Sequence, residues 1–275
     1  MSMSGPDAGN GSSGSAAPQE GPFFRGRALS GIAIALIGAT VVATSFLSGI
    51  FGMAGGMILL GVLLVFLDVA PAMVLFGATQ AVANGWRAFL WRRHVRWDIV
   101  RLYVVGSATA FLLCRSIAFL PDKALVYLVL GVLPFAVYAL PQRLAPDITR
   151  RGVPYLCGAV IMVIQLFGGV AGHILDLFFQ ASALDRRTVV ATKAFTQVIA
   201  HFFRIAYFGS FAAAFEVHIP WCVYAGAVVL AVTGTTLAAQ VLERMTDVSF
   251  RIWSKRIVVT VSGIYVLRGV WLAAV

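Results

Sequence analysis

The sequence predicts an all-α polytopic membrane protein with about 8 to 10 transmembrane or half-membrane helices in two inverted repeats. Hydrophobic residues make up 60% of the 275-residue chain and charged residues only 12%, which is typical of a membrane protein rather than a soluble domain. The apolar runs are long and nearly uninterrupted, which favours helices over the alternating segments of about ten residues in a transmembrane barrel. A glycine-rich segment that occurs twice indicates the duplication.

Apolar segments follow a polar N-terminal tail. Residues 1–22 are rich in Gly, Ser, Pro and Ala, and we expect residues 1–27 to form a disordered tail. The segment 55–67 is shorter than the roughly 20 residues that cross a bilayer, so it predicts a half-helix or re-entrant arm. Residues 154–180 are divided by glycines and are too short for two full crossings. The segments are 28–50, 55–67, 71–91, 99–120, 123–140, 154–180, 188–209, 220–242 and 257–275.

The placement of Lys and Arg predicts the orientation. The net charge of +10 lies mainly in the short connections between apolar segments, which indicates cytoplasmic loops rather than a nucleic-acid surface. On this basis helix 71–91 runs inward, helix 188–209 runs outward, and the C-terminus lies outside. We expect a first repeat at 28–140, a cytoplasmic connection at 141–153 and a second repeat at 154–275. The basic groups are Arg92, Arg93 and Arg96; Arg143, Arg150 and Arg151; and Arg244, Arg251, Lys255 and Arg256.

A polar stripe occurs in both repeats. Gln80, Asn84 and Arg87 are spaced i, i+4 and i+7, so they share one helix face. The same pattern returns later with one additional cation a turn earlier, where the first repeat has Phe76. Buried polar groups at membrane depth are expected to face protein or a water-filled cavity. The second stripe consists of Lys193, Gln197, His201 and Arg204, and each stripe includes a threonine, Thr79 and Thr196.

Each stripe has a structural alternative. Arg87 and Arg204 would snorkel to the headgroups if they lie near helix ends, and the Gln and Asn side chains would join helices by hydrogen bonds. His201 is either a proton carrier or a hydrogen-bonded core residue. Asp176 is a second candidate for proton coupling, or a partner for Lys193.

The glycine clusters predict helix breaks inside the membrane. Residues 51–56 and 167–172 both interrupt apolar runs, about 116 residues apart. A helix that restarts after such a break presents unpaired N–H groups and a positive dipole end, which favour an anion. The alternative is close helix packing of the small-xxx-small kind. The glycines concerned are Gly52, Gly55, Gly56, Gly168, Gly169 and Gly172.

After residue 28 the chain resembles the sulfite exporter TauE/SafE family of membrane permeases. The resemblance rests on residues 48–56 (SGIFGMAGG), on the weaker copy at 167–172 and on the basic connection 92–98 (RRHVRWD). The family usually has three consecutive glycines and a following proline, whereas Ala54 precedes two glycines here and 57–67 lacks proline. The resemblance implies transport of small organic or sulfur-containing anions, such as sulfite or sulfonates, across a bacterial inner membrane.

The leading hypothesis is therefore a secondary carrier for a small anion. The glycines would shape the broken helices, the Thr and Gln side chains would donate hydrogen bonds, and Lys193 would offset the substrate charge. We expect no cofactor, metal or nucleic acid, and either one copy or a homo-oligomer in the bilayer. The alternative is a cation or metal-ion permease that uses Asp68, Asp176, His173 and His201. The apolar helices carry no nucleophile and base arrangement typical of an enzyme.

Overall fold

The structure is a computed structural model that describes residues 24–25, 28–29, 31–51, 53–141, 144–212, 221–242 and 247–275. Strands β1 (Phe24–Arg25) and β2 (Ala28–Leu29) form a short antiparallel pair. The tail expected at 1–27 lies outside the described residues apart from β1, as do Gly52, Arg143 and Arg244.

Helices make up nearly all of the described chain, which confirms the all-α fold class. Three of them are long and apolar enough to cross a membrane, at Trp97–Ile117, Trp221–Ala238 and Ile252–Ala274, and shorter apolar helices accompany them. The helices are α1 (Gly31–Phe51), α2 (Met53–Phe66), α3 (Val69–Leu90), α4 (Trp97–Ile117), α5 (Lys123–Ala139), α6 (Val153–Gly168), α7 (Gly172–Gln180), α8 (Arg186–Ala212), α9 (Trp221–Leu242) and α10 (Asp247–Ala274), with a 3₁₀ turn at Arg92–His94.

Two of these helices are clearly shorter than a membrane span. Helix α2 has 14 residues and α7 has 9. At 1.5 Å per residue they extend roughly 21 and 14 Å, against a hydrocarbon core of about 30 Å. The two short helices agree with the expected half-helix at 55–67 and with the expected division of 154–180.

The start of the last helix differs from the sequence expectation. Arg251, Lys255 and Arg256 were expected in a basic connection, but α10 begins at Asp247, ten residues before the apolar segment at 257. Hydropathy detects only the apolar part of a helix, whereas Arg and Lys are good helix formers that extend it toward water.

The helix pairs suggest a relation between the two sets of five helices. Helix α3 packs on α8, α5 on α10, α1 on α9, and α4 on α6. If α1–α5 are exchanged with α6–α10, the first two pairs map onto themselves and the last two map onto each other. Two inverted repeats remain a proposal, which this pairing supports.

Glycines allow the backbones of α4 and α6 to touch. A Cβ atom on Gly106 would overlap the carbonyl of Tyr155, and one on Gly158 would overlap the carbonyl of Tyr103. Only glycine permits this approach, as at the small-residue interfaces of membrane helices. Gly234 is similar, because its Cβ would lie 2.6 Å from the Val42 carbonyl oxygen where α9 crosses α1.

Candidate functional site

Both polar stripes face one cavity between α3 and α8, at the break between α6 and α7. Its volume is about 120 Å³, several times the roughly 15 Å³ that one water molecule needs. Its lining combines side chains of both halves with the backbone of the break. The lining residues are Ser48, Gly56, Phe76, Gln80, Asn84, Arg87, Ile161, Gln165, Gly169, Val170, Ala171, Gly172, Leu175, Asp176, Val190, Lys193, Ala194, Gln197 and His201.

The break between α6 and α7 forms one wall. Helix α6 ends at Gly168, and Gly169 has φ of +77°, a conformation that L side chains rarely adopt. Helix α7 then starts at Gly172, and its first internal hydrogen bonds join the N–H groups of Ile174 and Leu175 to the Ala171 carbonyl at 3.1 Å. The N–H groups that precede them have no acceptor within the helix. The positive end of α7 therefore points into the cavity.

The other glycines have different positions. Gly56 lines the cavity, and a Cβ there would lie 3.2 Å from the Gln80 Nε2. Gly55 instead packs on α1, where a Cβ would overlap the Thr44 carbonyl, and Gly168 packs on the Val129 side chain. Close packing therefore describes Gly55 and Gly168, while Gly56 borders the cavity. The equivalent prediction for Gly52 lies outside the described residues.

A single offset relates the residues of the two halves. Gln80 and Gln197 are 117 positions apart, and the same offset relates Asn84 to His201 and Arg87 to Arg204. It also relates Ser48 to Gln165, which the sequence analysis missed although both line the cavity. Extending the stripe alignment back through the glycines would have found them.

The two arginines contact equivalent carbonyl groups. The Arg87 guanidinium donates to the Ser48 carbonyl oxygen at 3.3 Å, in the last turn of α1. The Arg204 guanidinium donates to the Gln165 carbonyl oxygen at 3.3 Å and also to the Gly169 carbonyl oxygen. The Gln165 carbonyl, in the last turn of α6, also accepts from the Gly169 backbone N–H at 3.1 Å. Each arginine thus caps the end of the helix that precedes a break.

Arg204 is buried in protein and does not snorkel. Its side chain has no exposed surface, and the guanidinium lies 4.8 Å above the centre of the Phe76 ring. It is not among the cavity-lining residues but lies directly behind His201. Its position is that of a support for the cavity wall, and Arg87 is the arginine that reaches the cavity.

The contacts of His201 define its protonation state. The Arg204 Nη1 lies 3.1 Å from the His201 Nδ1, and the Gln165 Nε2 lies 3.3 Å from the same atom. A guanidinium can only donate, so Nδ1 must accept and the ring proton must sit on Nε2. A second proton on Nδ1 would remove this bond and place two cations in contact. The geometry therefore favours the hydrogen-bonded reading of His201 over the proton-carrier reading.

Lys193 and Asp176 form an ion pair in the cavity wall. Their side chains are 24% and 29% exposed, so both remain reachable by water. At the positions equivalent to Lys193 and Asp176, 117 residues earlier, the first half has Phe76 and Leu59. The charged pair therefore belongs to one half only, and the Lys193 ammonium is paired with a carboxylate of the protein itself.

The remaining predicted residues lie away from the cavity. The hydroxyls of Thr79 and Thr196 donate within their own helix, to the carbonyls of Leu75 and Lys193, both at 2.9 Å. Neither threonine is among the lining residues. The two threonine hydroxyls thus bond within their own helices, and the side-chain amides of Gln80, Asn84 and Gln197 supply neutral polar groups to the cavity.

The acidic and histidine residues considered for a cation do not converge. Asp68 lies at the start of α3 and pairs with Lys123 at 3.5 Å, and it does not line the cavity. Within the part of the chain that the structure describes, no three His, Cys, Asp or Glu side chains form a group that could hold a metal ion.

The family of the chain follows from a comparison with protein-family models. The model described as Sulfite exporter TauE/SafE matches residues 36–266, a range that contains every cavity-lining residue. The chain belongs to the sulfite exporter TauE/SafE family. No curated protein and no solved structure matches it. Family membership and the apolar helices together identify a multi-pass membrane transporter.

Proposed function

We propose that the protein is a secondary carrier for a small sulfur-containing anion, sulfite or a sulfonate, in a bacterial inner membrane. The observation that carries this proposal is the cavity at the α6–α7 break, which joins a helix N-terminus to both polar stripes. The family description supports an anion of the sulfite type.

The charge of the lining favours an anion. Arg87 and Lys193 contribute two positive charges and Asp176 one negative charge, so the lining carries one net positive charge. The N-terminus of α7 adds the partial positive charge of a helix dipole, equivalent to about half an elementary charge. Asp176 is the single carboxylate among the lining residues and is already paired. A cation would therefore meet repulsion, which makes a cation permease the weaker hypothesis.

The neutral groups suit an oxyanion. The amides of Gln80, Asn84 and Gln197 lie on two facing helices, α3 and α8, and amide N–H groups donate to sulfonate or sulfite oxygens. One N–H of the Asn84 side-chain amide donates to the main-chain carbonyl of Gln80 at 2.9 Å, which fixes the orientation of the Asn84 side chain. Donors from both halves would hold the anion between two bodies that can move against each other, as alternating access requires.

Flux through liposomes tests this proposal. Purified protein would be reconstituted, and uptake of labelled sulfite and a panel of small sulfonates would be measured in exchange for internal unlabelled anion. We expect saturable exchange that falls at least tenfold in Lys193→Ala, because the remaining Asp176 carboxylate then repels the anion.

A matched lysine provides the control. Lys123 also pairs with an aspartate, Asp68, but outside the cavity, so Lys123→Ala should exchange anions at the wild-type rate. Equal rates in wild type and Lys193→Ala would show that Lys193 does not bind the anion. Absence of exchange of every anion by intact wild type would refute the carrier itself.

A further inference from the structure

The ion pair in the cavity suggests a second transported species. The Asp176 carboxylate forms an ion pair with the Lys193 ammonium, which is the cation that a substrate anion would approach. Asp176 therefore takes the position beside Lys193 that an anionic group of the substrate would take. We propose that Asp176 binds a co-transported proton, and that protonation frees Lys193 for the anion; this inference rests on the proposed anion carrier.

The charge balance supports this exchange. With Asp176 ionised, the lining carries one net positive charge, and protonation raises it to two. A proton therefore strengthens binding of an anion, and by linkage a bound anion strengthens binding of the proton. A monoanion and a proton that enter together add no net charge to the site.

The proton follows a closed path. On one side of the membrane, water gives a proton to the Asp176 carboxylate, the ion pair separates, and the anion binds Lys193. On the other side the anion leaves, the ammonium attracts Asp176 again, and the carboxyl group returns its proton to water. The exposure of both side chains to the cavity, 24% and 29%, allows each transfer.

The groups around the pair do not replace Asp176 in this role. His201 on α8 has its Nδ1 occupied by Arg204, and Arg87 on α3 is a permanent cation that acts electrostatically on Lys193. Helix α6 contributes only the neutral Ile161 and Gln165 to the lining. The other groups near α7 are His173 on α7 itself, Tyr138 on α5, whose ring centroid lies 6.2 Å from that of His173, and Lys255 on α10, which lies over Tyr138. None of these three lines the cavity.

A substrate that stays ionised at every pH used distinguishes proton binding by the protein from proton binding by the substrate. The probe is labelled ethanesulfonate, which stays a monoanion between about pH 5 and pH 8. For wild type we expect accumulation driven by a pH gradient with the acidic side at the label. We also expect the apparent Kd to rise about tenfold per pH unit once Asp176 is ionised, as for one linked proton.

Asp176→Asn removes the titrating group and keeps its size. We expect its apparent Kd to be constant between about pH 5 and pH 6.5, where Lys193 stays an ammonium, and the gradient to drive no accumulation. Asp68→Asn, which changes a carboxylate outside the cavity, should keep the wild-type pH response. A Kd that depends on pH within this range, or gradient-driven accumulation, in Asp176→Asn would overturn the inference.

A measurement on wild type alone tests the inference even if the Asp176→Asn variant fails to fold. Ethanesulfonate would be added to purified protein in weak buffer, above the pH where Asp176 ionises, and the proton taken up would be read with an indicator dye. One proton per bound anion supports the inference, and none overturns it. Exchange of anions by wild type without any pH response would refute the proton site and leave the carrier standing, whereas absent exchange would refute both.

Discussion

Replacing Arg204 by Met should destabilise the protein more than any other single change in the stripes. Met has a similar length and reach but no donors. The change leaves the Gln165 and Gly169 carbonyls and the His201 Nδ1 without their guanidinium partner, at a position with no exposed surface. Because the Arg204 side chain is fully buried behind the cavity wall, solvent does not readily replace those bonds.

The size of the effect follows from the acceptors left behind. A buried acceptor without a partner costs about 1–3 kcal/mol, so the Gly169 carbonyl predicts a loss of about that size, to which the Gln165 carbonyl adds less because it keeps the Gly169 N–H as a donor. For a chain of this size that corresponds to a fall in Tm on the order of 5 °C. Arg204→Lys should recover only part of it, because an ammonium lacks the planar fork that reaches two carbonyls at once.

Arg87→Met is the matched comparison. Arg87 makes the equivalent contact with one carbonyl, that of Ser48, and its side chain is half-buried, so we expect a loss of about 1 kcal/mol. Thermal unfolding of the three variants in detergent would be followed by the exposure of buried thiols. A Tm for Arg204→Met equal to that of wild type, or a larger loss for Arg87→Met, would refute the capping argument.

Two further predictions concern helix packing and a helix end. Gly106→Ala should cost about 1–3 kcal/mol by overpacking against α6, whereas Gly85→Ala, whose Cβ would lie 3.9 Å from Val198, should be neutral or slightly stabilising; the two Tm values check this, and equal shifts would contradict it. At the start of α8 the Thr188 hydroxyl donates to Asp185 at 2.5 Å, and with backbone N–H groups it holds the pKa of that carboxyl below its ordinary value. The Asp185 contribution to stability is therefore present above the unfolded pKa of about 3.9 and lost as pH falls through the folded pKa. The Tm difference between wild type and Asp185→Ala should be present at neutral pH and vanish at strongly acidic pH, and a difference that grows with acidity would contradict this sign.

Much of the fold could be predicted from hydropathy and glycine. Every apolar segment contains a helix, and the division of 154–180 at its glycines appears as α6 and α7. The start of α10 could not be found in the same way, since its first ten residues mix charged and polar side chains with apolar ones and do not form a continuous apolar run. Arg and Lys have high helix propensity, so the helix extends beyond the residues that apolar periodicity identifies.

The site was partly predictable, because periodicity identifies a helix face but not the partners across it. The stripe predicted that Gln80, Gln197 and Lys193 face protein or a cavity, and in the structure all three line one cavity. Arg204 lies on the same stripe, yet it turns toward the carbonyls of Gln165 and Gly169 at the end of α6. Which way such a side chain turns depends on where the neighbouring helix ends, and that is a tertiary property.

The central claim is that the cavity at the α6–α7 break holds the substrate anion. Once flux of 2-bromoethanesulfonate has been shown, crystals of the protein grown with it would be measured at the bromine absorption edge. The account predicts one anomalous peak in the cavity, within reach of Lys193 and the N-terminus of α7, that disappears in Lys193→Ala. A transported probe whose peak lies elsewhere in the protein would contradict the account.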